Sequence, residues 1–334
     1  MEKSSKGEAR SSGGGGGGVE AAANLLFDCH NHFHDDLLES CRELLPRLPF
    51  QGLCLMGTRP EDWAKVATLA QENPGRVIPA FGIHPWYAHR APHDWEDRLR
   101  GCLSSVSRCV MVGELGLDKA AKTPDTGQCE YEAQKGIFLR QMEIATELQL
   151  PVNVHCVRAF GDLFEFLRGG FAPKHKIGGG GHHRFPPAII LHSYGGTTGM
   201  LCSLLKLKEV GQRLYFSFSP VINLDRCPEE KTCAVIAQVP DDRLLLETDL
   251  DSAYEAEEEL VRMCRLVAKV KGWTEEETAL RTTANARRCL GMLSAREERS
   301  EGIDDEEERE RGEQKEKRHQ GDDKETENEK AKEV

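Results

Sequence analysis

The sequence lacks several features that would assign its 334 residues to particular protein classes. It contains no run of about eighteen apolar residues, so we expect no membrane-spanning helix. It shows no apolar stretch of signal-peptide length near its start, and its 12 cysteines include no CxxC pair. These absences predict a soluble intracellular protein with reduced thiols, located in the cytoplasm, the nucleus or both.

Aromatic residues are scarce at 6%, whereas charged residues reach 30%, which indicates that part of the chain lies outside a packed core. Residues 1–24, with six glycines at 13–18, are predicted to be a disordered leader. Residues 294–334 are almost wholly charged and predict a disordered or solvated helical tail, with partner binding as an alternative role. The folded domain is predicted to span residues 25–293.

Short apolar runs alternate with stretches of helical spacing along this middle region, as in folds that repeat a strand and a helix. The eight runs are Leu25–Asp28, Gly52–Gly57, Arg76–Gly82, Cys109–Gly113, Pro151–His155, Ala188–His192, Leu214–Ser219 and Arg243–Glu247. Helices are predicted between them, for example over Glu61–Gln71 and Glu130–Leu148. Eight such units predict an α/β protein built as a (β/α)8 TIM barrel.

Histidine, glutamate or aspartate stands at or just beyond the end of six of the eight predicted strands. In a barrel these ends meet at one rim, where catalytic residues are found. His30 and His32 alternate along the chain, so both side chains can point to one side and bind one ion. The pattern predicts a catalytic metal site of the hydrolase type. Its candidates are His30, His32, His84, Glu114, His155, His192 and Asp249.

The motifs resemble those of the TatD family of metal-dependent deoxyribonucleases, over roughly residues 25–292. The matching segments are Asp28–His32, Gly82–Pro85, Gly113–Asp118 and Glu247–Asp249, with single histidines at 155 and 192. The resemblance implies that His30, His32 and Asp249 hold one divalent ion, that His155 and His192 hold a second, and that Glu114 bridges them. It implies that His84 contacts the substrate phosphate; a buried histidine bonded to backbone is the alternative.

Two divalent ions in such a site would lower the pKa of a shared water and polarise the substrate. Asp249 is then the candidate base, with Glu114 as the second catalytic residue; a helix-capping role is the alternative for Asp249. Mixed imidazole and carboxylate ligands do not distinguish Mg²⁺, Mn²⁺ and Zn²⁺.

Three departures from the family pattern bear on the substrate. Arg158 comes one residue late after His155, Trp86 stands where a second histidine is common, and Asp251-Ser252 replaces a proline-containing stretch. Trp86, Tyr87 and Trp95 either stack on bases or pack in the core. Residues 169–187, which include Lys174 to Lys176 and the glycines at 178–181, are predicted to be a flexible insertion rather than a phosphate loop.

The leading hypothesis is a phosphodiesterase that acts on DNA ends or single strands. The net charge of −12 and the lack of a basic stripe argue for weak or transient DNA binding. A hydrolase of small esters, amides or phosphate esters is the second hypothesis, and a barrel used as an interaction scaffold is the third.

Overall fold

The computed structural model describes residues 23–106, 110–123, 125–171 and 184–292. Residues 1–22 of the predicted leader, the centre of the 169–187 insertion and the predicted tail lie outside these described residues. Ala23, which was predicted to be in the leader, is instead buried in the core. Eight parallel strands form one sheet whose spatial order follows the sequence. They are β1 (Phe27–Asn31), β2 (Gly52–Met56), β3 (Val77–Phe81), β4 (Met111–Asp118), β5 (Val152–Val157), β6 (Ile189–Leu191), β7 (Leu214–Phe218) and β8 (Leu244–Leu246).

Hydrogen bonds next to β8 bring the last strand against the first. The backbone N–H of Asp249 donates to the carbonyl of His30 at 3.0 Å, and the N–H of His32 donates to the carbonyl of Leu250 at 2.8 Å. The buried Asp28 carboxylate accepts from the N–H and the hydroxyl of Thr248, at 3.0 and 2.8 Å. The sheet is thereby a nearly closed barrel, and the (β/α)8 prediction is confirmed.

Helices follow the strands and cover the outside of the barrel. Each buries the apolar side chains of one face, as the helix Tyr131–Leu148 does with Phe138 and Met142. The helices are α1 (Leu38–Leu44), α2 (Trp63–Glu72), α3 (Trp95–Ser105), α4 (Tyr131–Leu148), α5 (Phe160–Gly169), α6 (Thr198–Leu205), α7 (Pro220–Asn223), α8 (Glu229–Ile236), α9 (Ala256–Lys271) and α10 (Glu275–Cys289). A 3₁₀ segment, Pro85–Arg90, follows β3.

The largest differences from the predicted strand boundaries are in β1 and at the end of β4. β1 begins at Phe27 and continues through His30 to Asn31, whereas the apolar run ended at Asp28. β4 continues five residues beyond the predicted end at Gly113, to Asp118, because residues 115–118 pair with β5. In both cases the last residues of the strand carry polar side chains that line the barrel mouth. The apolar run used to predict the strand therefore ends before the strand itself ends.

No helix in the described part of the chain is both long and apolar enough to cross a membrane. The cysteines within the same residues form no disulfide.

Candidate metal centre

All six predicted metal ligands lie together at the carboxyl ends of the strands, in two groups that share Glu114. In the first group the Nε2 atoms of His30 and His32 are 3.0 Å apart. Asp249 Oδ1 lies 3.3 Å from His30 Nε2 and 3.8 Å from His32 Nε2. Glu114 Oε2 lies 3.2 Å from His32 Nε2. Four side chains from β1, β4 and the end of β8 thus direct donor atoms to one point.

The second group faces the other oxygen of the same glutamate. His192 Nε2 and His155 Nδ1 lie 2.8 and 3.0 Å from Glu114 Oε1. The two ring nitrogens are 3.2 Å apart. Glu114 therefore stands between the two groups, with one carboxylate oxygen turned to each.

The remaining ring nitrogen of each of these four histidines faces an oxygen. Asn153 Oδ1 lies 2.9 Å from His30 Nδ1, and the carbonyl oxygen of Met56 lies 3.2 Å from His32 Nδ1. Carboxylate oxygens of Asp118 and Glu247 lie 3.6 Å from His155 Nε2 and His192 Nδ1. For His30 and His32 the acceptor on the outer nitrogen keeps the proton there, which leaves the inner nitrogen its lone pair for a cation. The carboxylates beside His155 and His192 lie just beyond hydrogen-bond distance.

His84 differs from the four other histidines in this respect. Its Nδ1 accepts a hydrogen bond from the backbone N–H of Trp86 at 3.2 Å. In a neutral ring the proton must then be on Nε2, which points to Glu114 Oε1 at 3.4 Å. Burial lowers the pKa of His84 to about 3, so the ring is neutral. His84 lies among the candidate ligands but presents a hydrogen rather than a lone pair.

The charges in the cluster stabilise one another. Burial opposes the charge of Glu114, but the histidines around it hold its pKa well below the usual value. Burial likewise acts against a charged His192, and the Glu114 carboxylate outweighs that effect and raises the pKa of His192. The pKa of Asp249 falls to about 2, against the effect of burial, because of His30 and neighbouring histidines. Both carboxylates are therefore ionised at neutral pH, the form that binds cations.

The donor set fits divalent metal ions. Ligand atoms at about 2.0–2.2 Å from an ion lie roughly 3 Å apart, and the inner nitrogens here are separated by 3.0 and 3.2 Å. The ligand side chains are between 0 and 14% exposed, which limits competition from water. Mixed nitrogen and oxygen donors suit Zn²⁺ or Mn²⁺ as well as Mg²⁺.

Close contact between β4 and β5 places Glu114 beside His155. A Cβ at Gly116 would lie 2.0 Å from the carbonyl oxygen of His155, so a larger residue would separate the strands. Two glutamines on one face of α4 form hydrogen bonds with the backbone near the centre. Gln134 bonds both the N–H and the carbonyl of Asp118, and Gln141 does the same for Ile83, next to His84.

Several residues of the centre were not predicted from the sequence. Asn153, Asp118 and Glu247 orient the histidines, and Ser193 accompanies Glu247. The Ser193 hydroxyl lies 2.7 Å from Glu247 Oε1 and 3.2 Å from Asp249 Oδ2. Asn153 had one sequence signal, since it precedes His155 by two residues in an otherwise apolar strand and so shares its face.

The aromatic side chains after β3 have different environments. Trp95 is buried in the core, with 8% exposure, whereas Trp86 is 51% exposed. Arg158, the displaced arginine, is exposed just beyond β5 with a backbone φ of 54°. Val157 takes the position where the family pattern has the arginine.

An eight-stranded barrel with this ligand set at its carboxyl rim defines a metal-dependent hydrolase. The chain belongs to the TatD family: the family model described as "TatD related DNase" matches residues 27–291. The resemblance found in the motifs is thereby confirmed.

Similar proteins and structures agree with this assignment. Cut9-interacting protein scn1 of Schizosaccharomyces pombe is 28% identical over 335 residues, which cover 79% of this chain and 98% of the relative. The 3'-5' ssDNA/RNA exonuclease TatD of Erwinia tasmaniensis is 27% identical over 72% of this chain and 88% of its own. The solved TatD homologue YJJV of Escherichia coli K12 has the same fold, with a TM-score of 0.64 and 24% identity over 80% of this chain and 98% of that chain.

Proposed function

We propose that this chain is a metal-dependent phosphodiesterase that hydrolyses DNA from the ends of single strands. The observation that carries the proposal is the shared carboxylate: Glu114 turns one oxygen to His32 and the other to His155 and His192. Two divalent ions held by these residues would lower the pKa of a bound water and polarise a phosphoryl oxygen. His30, His32 and Asp249 would hold one ion, and His155 and His192 the second.

The chain's own residues supply the remaining chemistry. Asp249 is ionised and carries a second oxygen, Oδ2, whose only neighbour within hydrogen-bond distance among the described residues is Ser193 Oγ at 3.2 Å. That carboxylate accepts the proton of the attacking water and returns it to the leaving oxygen. The hydrogen bond from the N–H of Trp86 leaves the proton of the neutral His84 ring on Nε2. His84 would turn this hydrogen from Glu114 to a nonbridging phosphate oxygen when substrate is bound.

The depth of the centre supports a strand end as substrate. His30 is fully buried and the Glu114 side chain is 3% exposed, so a phosphate must enter between the rim loops to reach them. A chain end enters such a site more readily than the middle of a duplex. The relative from Erwinia tasmaniensis, named a 3'-5' ssDNA/RNA exonuclease, supports the same substrate class.

The protein's net charge of −12 implies that binding depends on the centre and its rim rather than on a long basic surface. Hydrolysis of a small ester is the second candidate, favoured by the same burial of the centre.

The test is a substrate panel with purified protein and added Mg²⁺, Mn²⁺ or Zn²⁺. We expect linear single-stranded DNA to be shortened from one end, with circular single strands and 4-nitrophenyl acetate unchanged and with all activity lost in a chelator. His192→Ala should abolish hydrolysis, whereas His93→Ala, at an exposed histidine outside the centre, should leave it intact. Hydrolysis of the ester but of no DNA would identify the small-ester hydrolase instead.

A further inference from the structure

A cavity of about 470 Å³ lies beside the metal centre. Its walls come from two segments, residues 86–90 after β3 and residues 118–122 at the end of β4. Asp118, in the wall, has its Oδ2 atom 3.6 Å from Nε2 of His155. The cavity therefore begins one side chain away from a candidate metal ligand, and its volume is in the range of small-molecule sites.

Trp86 forms an exposed aromatic wall of this cavity and is held in a fixed orientation. Its indole N–H donates to Asp118 Oδ2 at 2.9 Å. Its ring stands perpendicular to that of His84, with 4.9 Å between centroids. Trp86 is nevertheless 51% exposed. A large aromatic surface that is held on one edge and open to the cavity is ready to stack on a planar group without losing further side-chain freedom.

The polar groups around the cavity favour a planar group that is linked to phosphate. Lys122 is exposed in the wall and makes no ion pair with any residue in the described ranges. Arg90 lies at the edge and shares Asp125 with His89. The one acid in the wall, Asp118, already accepts hydrogen bonds from Trp86 and from the N–H groups of Ala120 and Ala121. The Asp118 carboxylate is thus already hydrogen-bonded within the protein, whereas the cationic side chains of Lys122 and Arg90 lie in the wall of the cavity.

We propose that this cavity is a nucleobase subsite, in which the base of the nucleotide next to the scissile phosphate stacks on Trp86. This inference rests on the proposed function, because a nucleotide carries its base one sugar away from its phosphate and the cavity lies one side chain away from the centre. Stacking accepts any base, so the subsite fixes the strand end without reading its sequence.

The first experiment compares single strands that differ by one abasic nucleotide, placed at the terminal or the penultimate position of the end that is removed. We expect one of these replacements to lower kcat/KM about tenfold in the wild type, within the range known for base stacking on aromatic residues. In Trp86→Ala the normal strand and this abasic strand should be hydrolysed equally. In Trp86→Phe, which keeps the aromatic face and loses the bond to Asp118, most of the discrimination should remain.

Equal loss of discrimination in Trp86→Phe and Trp86→Ala would overturn the inference, because the bond to Asp118 rather than stacking would then matter. Wild-type protein that hydrolyses normal and abasic strands equally would also overturn it, while leaving the proposed function intact. Melting temperatures of both variants identify any effect of misfolding.

A second experiment separates the subsite from the proposed activity. Binding of dAMP and of deoxyribose 5-phosphate is measured by isothermal titration calorimetry, with wild type and Trp86→Ala. Tighter binding of dAMP that depends on Trp86 would support the subsite even if no phosphodiester were hydrolysed, in which case the proposed function alone fails. Equal binding of the two compounds by the wild type would contradict the subsite.

Discussion

Asp249→Asn separates proton transfer from metal binding in this centre. Asp249 has a backbone φ of 56°, in the left-handed region that asparagine and aspartate tolerate better than most residues. Asparagine therefore preserves the backbone and keeps one side-chain oxygen near His30 and His32. It removes the negative charge and the group that accepts a proton.

The expected effect follows from the position of this carboxylate. Positioned proton transfer contributes about 10²–10⁴ to a rate, so we expect kcat to fall about 10³-fold, which corresponds to about 4 kcal/mol in the barrier. Metal on the other side should remain, because His155 Nδ1, His192 Nε2 and Glu114 Oε1 lie within 3.2 Å of one another without any contribution from Asp249.

Elemental analysis and turnover on a linear single strand measure the two effects separately. His155→Ala is the matched comparison, since it removes a ligand and should lower metal content, with activity partly restored by added metal. Near-normal turnover of Asp249→Asn would refute its role as base. Loss of all metal from that variant would refute the division of the donors into two groups.

Four further results are expected. His84→Ala should lower turnover at least about tenfold with unchanged metal content, because His84 presents a hydrogen; a fall in metal content would make it a ligand. Glu247→Gln should weaken metal binding about 10–100-fold in equilibrium dialysis, because His192 loses the carboxylate beside its Nδ1; unchanged affinity would contradict this. Asp28→Asn should lower the free energy of unfolding by about 1–3 kcal/mol in urea titrations, because the amide N–H₂ of asparagine would face a group of Thr248 that donates to Asp28. An unchanged midpoint would show that the bonds between Asp28 and Thr248 do not stabilise the barrel. Deletion of residues 295–334 should leave melting temperature and turnover unchanged, since that segment has no apolar face; a large drop in either would show that it is integral.

The sequence was sufficient to predict the barrel, and to select six candidate ligands that the structure brings together, because both depend on local pattern. Apolar runs such as Ile189–Leu191 mark buried strands, and a histidine or acid directly after them marks the rim. The ends of β1 and β4 were predicted too early for the same reason. His30 and Glu114 belong to strands whose inward side chains are polar, so the rule that detects strands by apolar character excludes the residues that matter most.

The residues that orient the ligands were not predictable in the same way. Asn153 and Glu247 act through histidines that are 123 and 55 positions away in the chain, so only the closed barrel brings each pair together. Gln134 and Gln141 lie two turns apart on the buried face of α4, although glutamine ordinarily faces solvent. Their burial depends on the backbone groups of Asp118 and Ile83, which no side-chain pattern reveals.

The residues that follow His84 in the chain determine which of its ring nitrogens carries the proton. Proline at 85 begins the 3₁₀ segment, and the first N–H groups of such a segment have no partner within it. His84 caps the segment, and its Nδ1 accepts from the N–H of Trp86. A neutral ring that accepts at Nδ1 must donate at Nε2. The proline after this histidine therefore selects a hydrogen-bond donor, whereas His30 and His32, with acceptors on their outer nitrogens, present a lone pair to the centre.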